Sequence, residues 1–276
     1  MTGTSAARPR TPRPGGPTAR SRPHPAAGPD LDGPFEASGL GDIADPLLAE
    51  SGSTRIEWAE RAMPVLQLLR ERFTADQPFA GLAVAACLNV TAETAILVRA
   101  LRSGGASVSL AASNPLSTQD DVAAALALRH GIAVFARAGV DRPTYYRHIE
   151  QALTGAPDLV VDDGCDLVNT LHTQHPDLLP GVRGGCESTT TGVIRLRRMA
   201  AEGALKFPVV AANDTATRRL VDSTFGTGQS VLDGIVRASQ RELEAVEGVG
   251  TVRAREIREG LRRLQEHNLV DRYLQL

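Results

Sequence analysis

The sequence predicts an α/β fold: a three-layer sandwich in which a mostly parallel sheet carries helices on both faces. Three observations predict it. Short apolar runs of strand length recur through the middle of the chain. Segments of helical period separate them. Polar residues stand where the apolar runs end. Strands alternating with helices imply a parallel sheet covered on both faces. Polar groups at the carboxyl ends of such strands build the ligand crevice of an open sheet.

Each element follows from its own stretch. Residues 1–38 are dense in Pro, Arg, Gly, Ala and Ser and hold almost nothing apolar to bury, so they read as a disordered tail. No apolar core of a secretory signal is present, so export is not expected. A folded region is expected over 39–238 and a small helical tail over 239–276. Ile56, Ala59, Met63, Leu66 and Leu69 recur at helical spacing, and a helix is expected over Trp58–Phe73. "FAGLAVAACLNV" reads as a turn and a buried strand, and Thr91–Ser103 as a helix stopped by Gly104-Gly105. "SVSLAA" is the next strand, Thr118–His130 the next helix with Gly131 closing it, and "IAVFAR" the next strand. Pro143–Leu153 reads as a helix and "DLVVDD" as a strand that delivers Asp162 and Asp163 onto a turn at Gly164. Four hydroxyls, Ser188 to Thr191, precede a helical run over Val193–Ala201. The apolar run Phe207–Ala212 then delivers Asn213 and Asp214 into a turn.

Composition bounds the rest. A chain of 276 residues is long enough for one large domain or two modest ones. With 42% hydrophobic but only 4% aromatic residues, its core must be aliphatic. A net charge of -2 gives no global bias toward nucleic acid or membranes. Three sparse cysteines, Cys87, Cys165 and Cys186, suggest reduced thiols in a cytoplasmic protein. No apolar run reaches the length of a membrane span, and no metal site is expected.

The motifs "VVDDGCDLVNTLH", "PGVRGGCESTTTGVIRLRRM" and "FPVVAANDTATRRLVDSTFGTG" together resemble the substrate domain of S-adenosylhomocysteine hydrolase. "CLNVTAETAILVRAL", "NPLSTQDDVAAALA" and "FGTGQSVLDGI" strengthen the likeness, which runs over roughly Gly41 to Ala238. The resemblance implies a Rossmann-like substrate domain and a reaction in which NAD oxidises the ribose 3'-hydroxyl, homocysteine is eliminated and water adds. It implies Thr91 and Glu93 at the adenine, although Thr91 also reads as a cap of the helix that follows. It implies Asp163 as the acid/base, Asn213 and Asp222 at the ribose, and Thr189, Thr190 and Thr191 around the ribose and nicotinamide.

The sequence departs from that pattern at four chemical positions. Asn89 stands for a histidine, and an amide cannot shuttle a proton as imidazole does. Ser188 stands for a glutamate, Arg218 for a lysine that can act as a base, and Ser223 for an asparagine. No glycine fingerprint of a dinucleotide-binding fold follows Ala238. The tail instead resembles the helix-hairpin-helix end of the DNA-integrity scanning diadenylate cyclase. There Gly248 and Gly250 would expose N–H groups to a DNA phosphate, with Arg253 and Arg255 assisting. Seven arginines against seven acids make that tail neutral, so such contact is weak; a helical pair used for packing or dimerisation fits as well.

The expectation is a non-catalytic binder of adenosine or S-adenosylhomocysteine in one-carbon metabolism. NAD is expected only if a partner chain supplies the missing domain. A homo-oligomer, a DNA-associated adaptor and a recombined gene product stay open as alternatives.

Overall fold

The computed structural model describes residues 41–218, 221–222 and 226–274. The tail over 1–38 and the departure at Ser223 lie outside the described residues. Among the described residues seven strands form one sheet: β1 (Gly41–Ile43), β2 (Ala83–Leu88), β3 (Ser107–Ala112), β4 (Ala133–Ala136), β5 (Leu159–Asp162), β6 (Gly184–Glu187) and β7 (Val209–Ala211). Their order is β1-β4-β3-β2-β5-β6-β7, and each pairing is parallel. The helices are α1 (Ala49–Glu60), α2 (Pro64–Asp76), α3 (Ala92–Ser103), α4 (Asp120–His130), α5 (Arg142–Leu153), α6 (Asp166–Gln174) and α7 (Thr190–Ala201). Beyond the sheet follow α8 (Thr227–Arg237), α9 (Gln240–Glu244) and α10 (Thr251–Leu274).

One expected helix is two. The apolar period runs unbroken through residue 64, but Pro64 has no N–H for the ladder and its ring clashes with the carbonyl a turn back. The chain therefore breaks over residues 61–63, and Pro64 opens α2, where its missing N–H costs nothing. Strand β1, helix α6 and strand β6 are elements that periodicity did not single out. Helix α7 starts earlier than expected, so Thr190 and Thr191 lie inside its first turn and Thr189 is its N-cap.

Two apolar clusters hold the layers. Helices α1 to α4 pack one face of the sheet through Ile56, Ile96, Leu110, Leu126 and Val134. Helices α5 to α7 pack the other through Ile149, Leu153, Val160, Leu167 and Leu196. Burying a side chain of this size stabilises the fold by roughly 1.5–3 kcal/mol. Helix α4 is buried over Val122 to Ala127, because α1 lies on its outer side and the sheet on its inner side. Its run of alanines suits that confinement. Gly52 completes it: a Cβ there would stand 1.9 Å from the Asp121 carbonyl oxygen. On the first face, however, β5 to β7 present an open apolar depression of about 330 Å³, where Val161, Cys186 and Val210 meet Phe79 and Leu101. Val210 is 66% exposed there.

Successive strands run one way from β2 to β4 and the other way from β5 to β7. The reversal falls between β2 and β5, the place where open α/β sheets bind ligands.

Candidate functional site

Register alone brings the site together. Cys87 pairs with Asp162, Asp162 with Glu187, and Glu187 with Ala211. The residues just past these positions, Asn89, Asp163, Ser188 and Asn213, therefore emerge side by side at the carboxyl edge of β2, β5, β6 and β7.

Asp163 is the centre. The Asn89 amide donates to its Oδ2 at 3.0 Å, across the switch point, and the Ser188 hydroxyl donates to its Oδ1. Ser117 donates to Asn89 Oδ1 at 2.6 Å, which fixes the amide with its nitrogen toward Asp163. Both carboxyl oxygens are thus gripped by residues at which the chain departs from the pattern it resembles. Burial and then the charge of Glu187 push the Asp163 carboxyl above its ordinary range, while hydrogen bonds from Asn89 and the charge of Arg218 oppose the rise.

The neighbouring carboxyl behaves differently. Asp162 is wholly buried and accepts the N–H groups of Asp163 at 2.9 Å and Val168 at 2.8 Å, so it shapes the turn into α6. Burial pushes it up to about 7, with Glu187 and Asp166 adding to the rise. In the turn Gly164 has a φ of +117° and Cys165 one of +68°, left-handed values that a glycine tolerates and a cysteine resists. Arg195 of α7 donates to the Gly164 carbonyl and, at 2.8 Å, to Asp166.

The adenine-side candidates sit on the other lip. Thr91 occupies the N-cap of α3, yet its side chain makes no capping hydrogen bond; Gln119 instead accepts the Ala92 N–H at 3.1 Å. The capping alternative for Thr91 is thereby corrected: a neighbouring glutamine has taken that duty. Glu93 is exposed in the first turn of the same helix. On the far lip, the Asn213 amide donates to Thr190 Oγ1 at 3.1 Å. The Thr189 hydroxyl donates to Glu187 Oε1 at 2.8 Å and accepts the Gly192 N–H at 2.9 Å. Its proton is spent, and one lone pair remains for a ligand. Thr191 is exposed. Arg218 faces Asp222, four positions on, at 3.5 Å, and Thr227 donates to the Asp222 carbonyl.

The tail residues gather elsewhere. Gly248, with a φ of +83°, forms the turn between α9 and α10, and Gly250 precedes α10. Arg253 turns back to donate to the Gly248 carbonyl at 2.7 Å. Arg255 lines a cavity of about 340 Å³ between α8 and α10 with Ile235 and Leu261.

Three residues of the crevice escaped the sequence reading: Ser117, Gln119 and Glu187. Only Glu187 left a signal, since "GGCE" ends a strand on an acid just as "LVVD" does. Among the described residues no group of three or more His, Cys, Asp and Glu is placed to hold a metal ion, and no helix is long and apolar enough to cross a membrane.

Comparison with known proteins follows the same residues. The profile of the S-adenosyl-L-homocysteine hydrolase family matches residues 41–180 and 170–234. An adenosylhomocysteinase of Aquifex aeolicus is 56% identical over 202 residues, 73% of this chain and 48% of that protein. One of Thermosynechococcus vestitus is 51% identical over 198 residues, 72% of this chain and 46% of that protein. An S-inosyl-L-homocysteine hydrolase of Methanocaldococcus jannaschii is 49% identical over 198 residues, 72% and 48% of the two lengths. The chain thus spans about half the length of these curated relatives.

Proposed function

The chain belongs to the S-adenosyl-L-homocysteine hydrolase family, and from that premise we propose that its crevice binds an adenosine-type nucleoside, free or as the homocysteine thioether, and by itself does not convert it. The observation that carries this reading is the grip on Asp163. Asn89 and Ser188 donate to its two oxygens, so the carboxylate is held as a fixed acceptor, and neither neighbour titrates in the range where a proton shuttle works. Arg218, permanently charged, cannot deprotonate a ribose hydroxyl.

The binding groups that the family resemblance implies are, by contrast, kept in this chain. The Thr91 side chain makes no capping bond and stands ready for the base. The Glu93 carboxylate only accepts hydrogen bonds, so it favours the amine of adenine over the carbonyl of hypoxanthine. The family resemblance assigns Asn213 and Asp222 to the ribose. Thr190 and Thr191, exposed at the start of α7, fit a cofactor presented from outside this sheet. NAD, when a partner chain presents it, would supply the hydride acceptor.

The experiment is calorimetric titration of adenosine, inosine and S-adenosylhomocysteine with and without NAD, alongside a turnover assay for released homocysteine. Saturable adenosine binding independent of NAD, tighter than that of inosine and without homocysteine release, is expected. Release of homocysteine by the purified chain, or no binding at millimolar nucleoside, refutes the proposal.

A further inference from the structure

We propose that Glu187 is the positioning residue of the crevice: its buried carboxylate ties the loop that carries Asp163 to the N-terminus of the helix that carries the threonine triplet, and Gly192 is its obligatory counterpart. The proposal deepens the nucleoside-binding reading and rests on it only for its ligand measurement.

Glu187 is wholly buried at the end of β6. Its Oε1 accepts three hydrogen bonds: from the Gly164 N–H at 2.9 Å, the Thr189 N–H at 2.8 Å and the Thr189 hydroxyl at 2.8 Å. The first reaches the β5–α6 loop, next to Asp163; the others fix the N-cap of α7. Arg195 grips the same residue from its other polar group, donating to the Gly164 carbonyl, and Ser188 donates to Asp163 beside it. Gly164 is therefore clasped from the β6–α7 side at both polar groups, and Asp163 precedes it directly.

Space tells the same story. A Cβ on Gly192 would lie 2.1 Å from the Glu187 carboxyl carbon and 2.3 Å from Oε2. The carboxylate fills the volume that any other residue at 192 would claim. Oε2 is buried, and among the described residues no donor meets it. Burying a carboxylate costs several kcal/mol unless donors and dipoles compensate. Three donors and the positive end of α7 supply that compensation, so the group persists because the loops are built around it.

The test uses the full chain. Gly192→Ala and Glu187→Ala are combined in a double-mutant cycle read by urea unfolding. Alone, Gly192→Ala lowers the unfolding midpoint markedly; with Glu187→Ala present, the added methyl enters vacated space and lowers it little further. Should Glu187→Ala not fold, Glu187→Asp, one methylene shorter, carries the same comparison. In Glu187→Gln, which keeps the shape, the Asp163 carboxyl, followed by NMR, titrates at lower pH because a neighbouring charge is gone, and adenosine binds about tenfold more weakly or worse. Equal losses from Gly192→Ala in both backgrounds, or an unmoved Asp163 titration, overturn the proposal. If the unaltered chain binds no adenosine, the nucleoside reading falls, while the cycle and the titration still decide the role of Glu187.

Discussion

Asp162→Asn turns the buried carboxyl of β5 into a pH experiment. In the folded chain its pKa is raised from 3.8 to about 7, chiefly by burial. A raised carboxyl pKa means the fold holds a proton that the unfolded chain has lost, so stability falls as pH rises between the two values. Each unit is worth about 1.4 kcal/mol, so the gap of about three units amounts to roughly 4 kcal/mol. The loss begins above pH 3.8, the ordinary value, and is complete above about 7. An asparagine carries no such slope. It does leave one of two backbone donors, Asp163 N–H or Val168 N–H, facing an amide nitrogen, a pH-independent cost of about 1–3 kcal/mol. Urea unfolding followed by circular dichroism, at about pH 5 and about pH 8, measures the difference between the two proteins. The unaltered protein leads at the lower pH, and that lead shrinks or reverses at the higher. A difference that stays constant across the range refutes the reasoning, because Asp162 would then be ionised in both states.

Three further outcomes follow from the geometry. Gly52→Ala drives a methyl into the Asp121 carbonyl, and urea unfolding should register a loss of about 1–3 kcal/mol or more as α1 is pushed off α4. Thr91→Ala leaves the unfolding midpoint nearly unchanged, because Gln119 holds the Ala92 N–H, while calorimetry shows adenosine affinity falling by about tenfold; a large stability loss would mean that Thr91 is a cap after all. Asp42→Asn loosens β1 from α5, since Asp42 meets His148 at 2.9 Å and both Arg137 and Arg147 at 3.5 Å. Those partners overcome the effect of burial and hold its carboxyl below 3.8. The stability it contributes is therefore present above 3.8 and lost as pH falls through the folded value, so the mutant's deficit in thermal unfolding should be clear near neutrality and vanish in acid.

The parallel sheet, its alternation with helices and the edge on which its polar residues gather were all legible in the chain. The helix boundary at Pro64 was legible in principle, since a proline inside a helical period is a local steric fact, but the unbroken apolar spacing obscured it. Strands β1 and β6 were not. One is three residues long, and the other reads "GGCE", whose glycines have no β-propensity of their own; they are strands because β4 and β5 offer them partners.

The sequence by itself determined which chemical groups are available: acids closing apolar strands, hydroxyls opening a helix, an amide and a serine at positions where the resemblance implies a histidine and a glutamate. Those are properties of short stretches, written in periodicity and residue type. Only the tertiary structure decided what the groups do to one another. Asn89 and Asp163 are 74 positions apart and meet at 3.0 Å because β2 and β5 are neighbours at the switch point. Glu187 and Gly164 are 23 apart and meet because β5 and β6 share a register. Thr91 is relieved of capping by Gln119, from the chain leading into α4. A strand's side chains are set locally, but its neighbours are set by the order in which the sheet is wound, and no local pattern encodes that order.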